Sequence, residues 1–172
     1  MTQYMKWKNE IFDNTTLLIS ASSGETSINA KVYKYCLNYL QQKKIKCQTL
    51  DLKKFKATPI LCDSKQIPKE IEEIYKCIKD PKHLIFFVPE HNGYFSAFFK
   101  NILDWLSLKQ KNFLKNKKII LISASTTQKD KRIMEPAALN TMKIFEPENI
   151  EFINFKEYSE EKIPNFVKAI FV

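Results

Sequence analysis

Residues Leu84 to Trp105 read LIFFVPEHNGYFSAFFKNILDW. The unbroken apolar run Leu84 to Val88 predicts a strand buried on both faces, because a strand with one wet face would alternate. Pro89 stops that strand, and Glu90, His91, Asn92 and Gly93 form a polar loop with a glycine turn. Phe95, Phe98, Phe99, Ile102, Leu103 and Leu106 then recur at helical spacing as a wide apolar stripe. A doubly buried strand, a loop and an amphipathic helix form the repeating half-unit of a parallel sheet covered by helices.

The same alternation continues in both directions. Thr15 to Ser20, Lys46 to Leu52, Lys118 to Ser123 and Ile150 to Phe155 read as further strands. Helices are expected over Asn29 to Lys44, from Pro68 through Ile78, from Pro136 through Phe145, and in a short final segment opened by Pro164. Residues 1–14 are left as an N-terminal extension, and residues 15–172 form one doubly wound α/β domain. The expected five-stranded order is 2-1-3-4-5, which places a ligand crevice beyond the carboxyl ends of the first and third strands, where strand order reverses.

Composition narrows the function. The chain has 172 residues and 44% apolar content, enough to bury roughly 70% of its unfolded surface in one core. Its apolar runs are too short to span a bilayer, and no continuous apolar stretch follows the first lysines, which argues against insertion and secretion. Cys36, Cys47, Cys62 and Cys77 show no CxxC pair and no metal-ligand spacing, so they read as reduced, structural thiols of a cytoplasmic protein. The net charge is +9, but only Arg132 among the 28 basic residues is arginine. A dispersed, lysine-rich surface lacks the guanidinium forks that read phosphates and bases, so nucleic-acid binding is disfavoured.

Average usage of about 7% would give about 12 glycines in this length, yet there are two, Gly24 and Gly93. They fall in the loops leaving the first and third strands. A chain this poor in glycine should keep it where φ is positive or where a ligand meets the backbone. The first loop, Ser20 to Asn29 (SASSGETSIN), offers hydroxyls and the free N–H groups of a helix N-terminus, the parts of a phosphate cradle. The competing reading is that Ser27 caps the helix and the other serines fill the loop. No P-loop or GxGxxG pattern is present.

The segment Pro89 to Trp105, PEHNGYFSAFFKNILDW, resembles PEYNGSIPGALKNALDW, typical of the NAD(P)H-dependent FMN reductases. These flavodoxin-like proteins include quinone, azo-dye and chromate reductases. The match is ungapped and holds at Pro89, Glu90, Asn92, Gly93, Lys100, Asn101, Leu103, Asp104 and Trp105. Ser22, Ser27 and Asn29 resemble the same family's GSxRxxSxN loop, and the likeness extends in outline over residues 15–156.

The resemblance implies FMN as cofactor and NAD(P)H as co-substrate, with a quinone, an azo compound or free flavin as acceptor. It implies that Ser20, Ser22, Ser27, Ile28 and Asn29 stand at the phosphate. Pro89, Glu90, His91, Asn92, Gly93 and Tyr94 would stand at the isoalloxazine ring, and the loop Ala124, Ser125 to Thr127 would flank it. No catalytic protein residue is implied, since the flavin carries the chemistry. The family's first glycine and its arginine are replaced by Ala21 and Gly24, the loop after the fourth strand lacks the usual glycine pair, and His91 stands for tyrosine. These departures leave a flavin-free binding or interaction protein as one alternative; a one-electron carrier of flavodoxin type ranks lower, because such carriers resemble acidic proteins and this chain is +9.

Other groupings carry less. His83 and His91 have no carboxylate or thiol at ligand spacing, so no metal site is expected. Lys100 and Asp104 stand at i,i+4 as a surface ion pair. Lys129, Lys131 and Arg132 could meet the extra phosphate of NADPH or simply be solvated. The stripe around Trp105 is wider than one sheet face covers, which predicts contact with another chain. The resemblance implies a homodimer through this helix with the site beside the contact, or two such dimers paired as a tetramer. The alternative is a monomer whose stripe packs wholly on its own sheet.

Overall fold

The doubly apolar run becomes the centre of a sheet. The computed structural model describes residues 16–24, 26–55, 66–126 and 133–171. In it the strands β1 (Thr16–Ser20), β2 (Gln48–Asp51), β3 (His83–Phe87), β6 (Lys118–Ala124) and β7 (Asn149–Phe155) form one parallel sheet in the order β2-β1-β3-β6-β7. This is the expected order 2-1-3-4-5 of a flavodoxin-like doubly wound fold. The helices are α1 (Ile28–Gln42), α2 (Lys69–Ile78), α3 (Ala97–Lys109), α4 (Met134–Lys143) and α5 (Ile163–Phe171). Two further strands, β4 (Glu90–His91) and β5 (Tyr94–Phe95), pair antiparallel as a separate hairpin. The sequence pattern did not predict them.

Alternation along the buried strands divides the core in two. Leu17, Ile19, Leu84, Phe86, Ile119 and Leu121 face one side with residues of α2, α3 and α4. Leu18, Ile85, Phe87, Ile120, Ile122, Ile153 and Phe155 face the other with α1 and α5. Each apolar strand is thus buried from both sides, as its unbroken run requires.

The α3 stripe is covered within the chain. Trp105 is 2% exposed and packs in the α2–α4 side of the core with Phe99, Ile102, Leu103 and Leu106. Phe98 is only partly buried and Leu108 is 56% exposed. Trp105 therefore supplies no free surface for a second subunit. At the opposite end of the sheet from the site, Lys117 is buried, and its ammonium donates to the carbonyls of Lys79 and Pro81, each at 2.7 Å. That contact satisfies carbonyls just beyond α2.

The strands end unevenly where the site lies. β1 and β3 stop level, Ser20 beside Phe87, whereas β6 and β7 run on together to Ala124 beside Phe155. β3 turns away at Pro89 and leaves a crevice between α1 and the projecting end of β6.

Candidate functional site

Three loops meet in that crevice. Ser22, Ser23, Gly24, Thr26, Ser27, Ile28 and Asn29 come from the β1–α1 connection, Pro89 to Gly93 from the hairpin, and Ala124, Ser125 and Thr126 from the end of β6. They enclose a cleft of about 600 Å³, within the ~300–1,000 Å³ typical of small-molecule and cofactor sites.

The first loop is built to leave the helix end open. Ser27 holds the N-cap position of α1 but makes no side-chain cap; its Oγ lies 2.9 Å from the Oγ of buried Ser22. The capping role considered from sequence is therefore not the one this side chain performs. The first-turn amides at Ile28 and Asn29 sit at the cleft wall with the positive end of the helix dipole behind them, an arrangement suited to an anion. Gly24 has ordinary φ, and a Cβ built on it would meet nothing within 4 Å. It faces open cleft.

Asn29 is 4% exposed and is tied to Ala124 by two hydrogen bonds. Its Oδ1 accepts from the Ala124 N–H at 2.7 Å and its Nδ2 donates to the Ala124 carbonyl at 3.3 Å. One side chain thus joins the first loop to the third.

The hairpin forms because Asn92 (φ 52°) and Gly93 (φ 79°) both adopt left-handed backbone, as a two-residue type I′ turn requires. A Cβ on Gly93 would lie 3.1 Å from Ile133 Cγ2. Of the two glycines, only Gly93 is needed for its conformation. His91 is exposed on the cleft side, and Glu90 is half-buried. Tyr94 points elsewhere: its hydroxyl meets the Thr141 hydroxyl of α4, and its ring packs on Phe95.

All the expected cofactor-contact residues except Ser20 and Tyr94 line the cleft. Ser20 is 2% exposed inside β1, between Asp51 and Phe87, and Tyr94 is spent on α4. Gly24, singled out by the scarcity of glycine, lines it as well, and so do Ser23 and Thr26, of which only the loop stood out in the sequence. None of the described lining residues is a lysine or an arginine. Residues 1–15, Cys62, Thr127, Lys129, Lys131 and Arg132 lie outside the described residues. Among the described residues no group of three or more His, Cys, Asp or Glu side chains could hold a metal ion, and no helix is long and apolar enough to cross a membrane. Cys36 is buried, and burial pushes its thiol pKa far up, which makes it an inert core residue.

A doubly wound sheet with a cofactor-sized cleft at its switch point defines a flavodoxin-like ligand-binding protein. Residues 15–146 match the family model of the NADPH-dependent FMN reductases, and the chain belongs to that family.

Solved structures share the fold. The flavoenzyme NAD(P)H:(acceptor) oxidoreductase FerB from Paracoccus denitrificans superposes with TM-score 0.74 at 15% identity, over 92% of this chain and 95% of that one. For the apo form of the NADH:FMN oxidoreductase EMOB the values are 0.71, 13%, 92% and 87%. For an FMN-dependent NADH-azoreductase from Bacillus anthracis in complex with FMN they are 0.66, 14%, 91% and 96%. An uncharacterized protein of Mycoplasma pneumoniae is 45% identical over 40 residues, and that match spans only 23% of this chain and 24% of the relative.

Proposed function

We propose that the cleft binds FMN and that the protein is an NAD(P)H-dependent flavin oxidoreductase, passing electrons from a nicotinamide to a small acceptor such as a quinone, an azo compound or free flavin. Family membership supports the reaction class. The observation that carries the cofactor is the convergence of an uncapped helix N-terminus and a rigid hairpin on one cleft of matching size.

The residues present fit the group. The amides of Ile28 and Asn29 with the Ser22 and Ser27 hydroxyls would hold the phosphate. Pro89 to Gly93 would orient the ring, and Ala124 and Ser125 would flank it. When bound, FMN supplies hydride acceptance and electron transfer. The hairpin's task is orientation, which its paired backbone, its I′ turn and the Tyr94 anchor make stiff. Glu90 and His91 bring polar side chains to the same wall and set its hydrogen-bonding character.

A homodimer, or a tetramer made of two such dimers, belongs to this reading; with Trp105 covered, a second subunit would meet Phe98 and Leu108 on the outer side of α3. A cytoplasmic setting suits a reduced-nicotinamide substrate and the free thiols Cys36, Cys47 and Cys77. A flavin-free binding protein is the second reading, favoured by the lack of a lysine or arginine among the described lining residues.

Quenching of FMN fluorescence separates the two. Saturable one-to-one binding at or below about tens of micromolar, followed by NAD(P)H consumption with a quinone, is the expected result. Absence of saturable binding would overturn the flavin reading.

A further inference from the structure

Val88 makes the last ladder bond between β3 and β6, donating its N–H to the Ile122 carbonyl at 2.8 Å. Had β3 continued, its next carbonyl would have accepted the Ala124 N–H, and an N–H further along would have met the Ala124 carbonyl. Pro89 turns the chain away instead. Those two groups of Ala124, buried at the mouth of the crevice, are met by the Asn29 carboxamide, which carries the same donor and acceptor as a peptide group. Asn29 thus supplies the acceptor and the donor that two successive peptides of a longer β3 would have presented.

On its far side the wall is held by backbone. The Ser125 N–H donates to the Phe155 carbonyl at 3.0 Å, and the Ser125 carbonyl accepts from the Tyr158 N–H at 2.8 Å. On the cleft side Asn29 takes the corresponding role. We propose that Asn29 is a positioning residue: a surrogate peptide that closes the open edge of β6, fixes Ala124 to Thr126 against α1, and so sets the width of the cleft. What the cleft then holds rests on the flavin reading, whereas the clamp itself does not. The arrangement also explains why asparagine is required. Aspartate accepts from the Ala124 N–H but has no proton for the carbonyl when ionised, and alanine does neither.

Two measurements on the full chain test this in parallel, on Asn29→Ala and Asn29→Asp. Amide hydrogen exchange in flavin-free protein should show Ala124 exchanging roughly tenfold faster in Asn29→Ala. The amides of Val88 and Ala21, bonded to Ile122 and Phe87, should keep their rates; a merely destabilised fold would speed all three. In Asn29→Asp the Ala124 amide should remain protected. FMN affinity should fall roughly tenfold or more in both variants, about 1.4 kcal/mol per tenfold.

Unchanged Ala124 exchange in Asn29→Ala overturns the clamp. Faster exchange with FMN affinity within about twofold of the parent overturns the positioning role. If the parent itself fails to bind FMN, the flavin reading falls and the exchange pattern alone decides the clamp. If Asn29→Ala does not fold, Asn29→Asp decides: it must lose FMN affinity while keeping Ala124 protected, and unchanged affinity overturns the proposal.

Discussion

The Tyr94 hydroxyl donates to the Thr141 hydroxyl. The direction follows from the neighbouring bond, because Thr141 spends its own hydrogen on the Ala137 carbonyl at 2.9 Å and can only accept from Tyr94. A two-strand hairpin that would be marginal alone is thereby fastened to α4. Tyr94→Phe should cost about 0.5–1.5 kcal/mol in urea unfolding and speed FMN dissociation, since it frees the ring-side wall without touching the cleft. Unchanged stability and unchanged dissociation together would show the anchor to be idle.

Gly93→Ala adds a Cβ at φ 79°, 3.1 Å from Ile133 Cγ2. Backbone strain of about 1–2 kcal/mol should dominate, because Ile133 is 74% exposed and its side chain can yield. A double-mutant cycle with Ile133→Ala should recover less than half of the loss. Full recovery would mean that contact, and not the left-handed turn, is what demands glycine.

Ser27→Ala removes no cap, so it should change stability by well under the ~0.5–2 kcal/mol that losing an N-cap costs. It should still weaken FMN, by removing one of the two paired hydroxyls at the helix end. Thermal unfolding and an FMN titration on the same variant distinguish the roles; a large fall in melting temperature would restore the capping account.

Lys117→Met leaves the Lys79 and Pro81 carbonyls without their charged donor and should destabilise the protein by about 2–3 kcal/mol while FMN affinity stays unchanged. Burial lowers the Lys117 pKa from the ordinary 10.5. Between the lowered value and 10.5 the unfolded chain binds more protons than the folded one. The charge-burial penalty is full below that window, stability attributable to this group rises with pH through it, and the penalty is gone above it. The variant should lack that alkaline rise in a pH series of unfolding curves.

Trp105→Glu should unfold the protein, since the tryptophan is 2% exposed and a buried unpaired charge is among the most damaging single changes. Leu108→Glu, at an exposed position, should leave the fold intact and convert a dimer to a 20.3 kDa species in light scattering. A parent that scatters as 20.3 kDa removes the dimer from the functional reading.

The architecture was legible because burial on both faces leaves an unmistakable mark, and Leu84 to Val88 could hardly be anything but an inner strand. The hairpin escaped because strands of two residues have no periodicity to read. Asn92-Gly93 is nonetheless a strong I′ signal, and it stood in the motif. Tyr94 was assigned to the ring wall by position in that motif, and only its bond to Thr141, 47 residues on, shows where it points. The width of the α3 stripe was real, and its Trp105 side is accounted for within the chain: α3 packs against α2 as well as the sheet, while Phe98 and Leu108 keep exposed surface. Asn29 lines the cleft, but its partner lies 95 residues away, a distance across which a single sequence carries no signal.

The clamp between Asn29 and Ala124 also fixes when the site can exist. A nascent chain emerging from the ribosome carries the first loop early and the hairpin midway, yet the third wall and the end of β6 that supports it come near residue 124. Until that segment has docked, the earlier loops flank an open edge, and long-range parallel pairing of this kind is slow to form. The closed cleft is therefore a late product of biogenesis, and a truncated chain ending before β6 would be synthesised with most of the lining residues and no cleft.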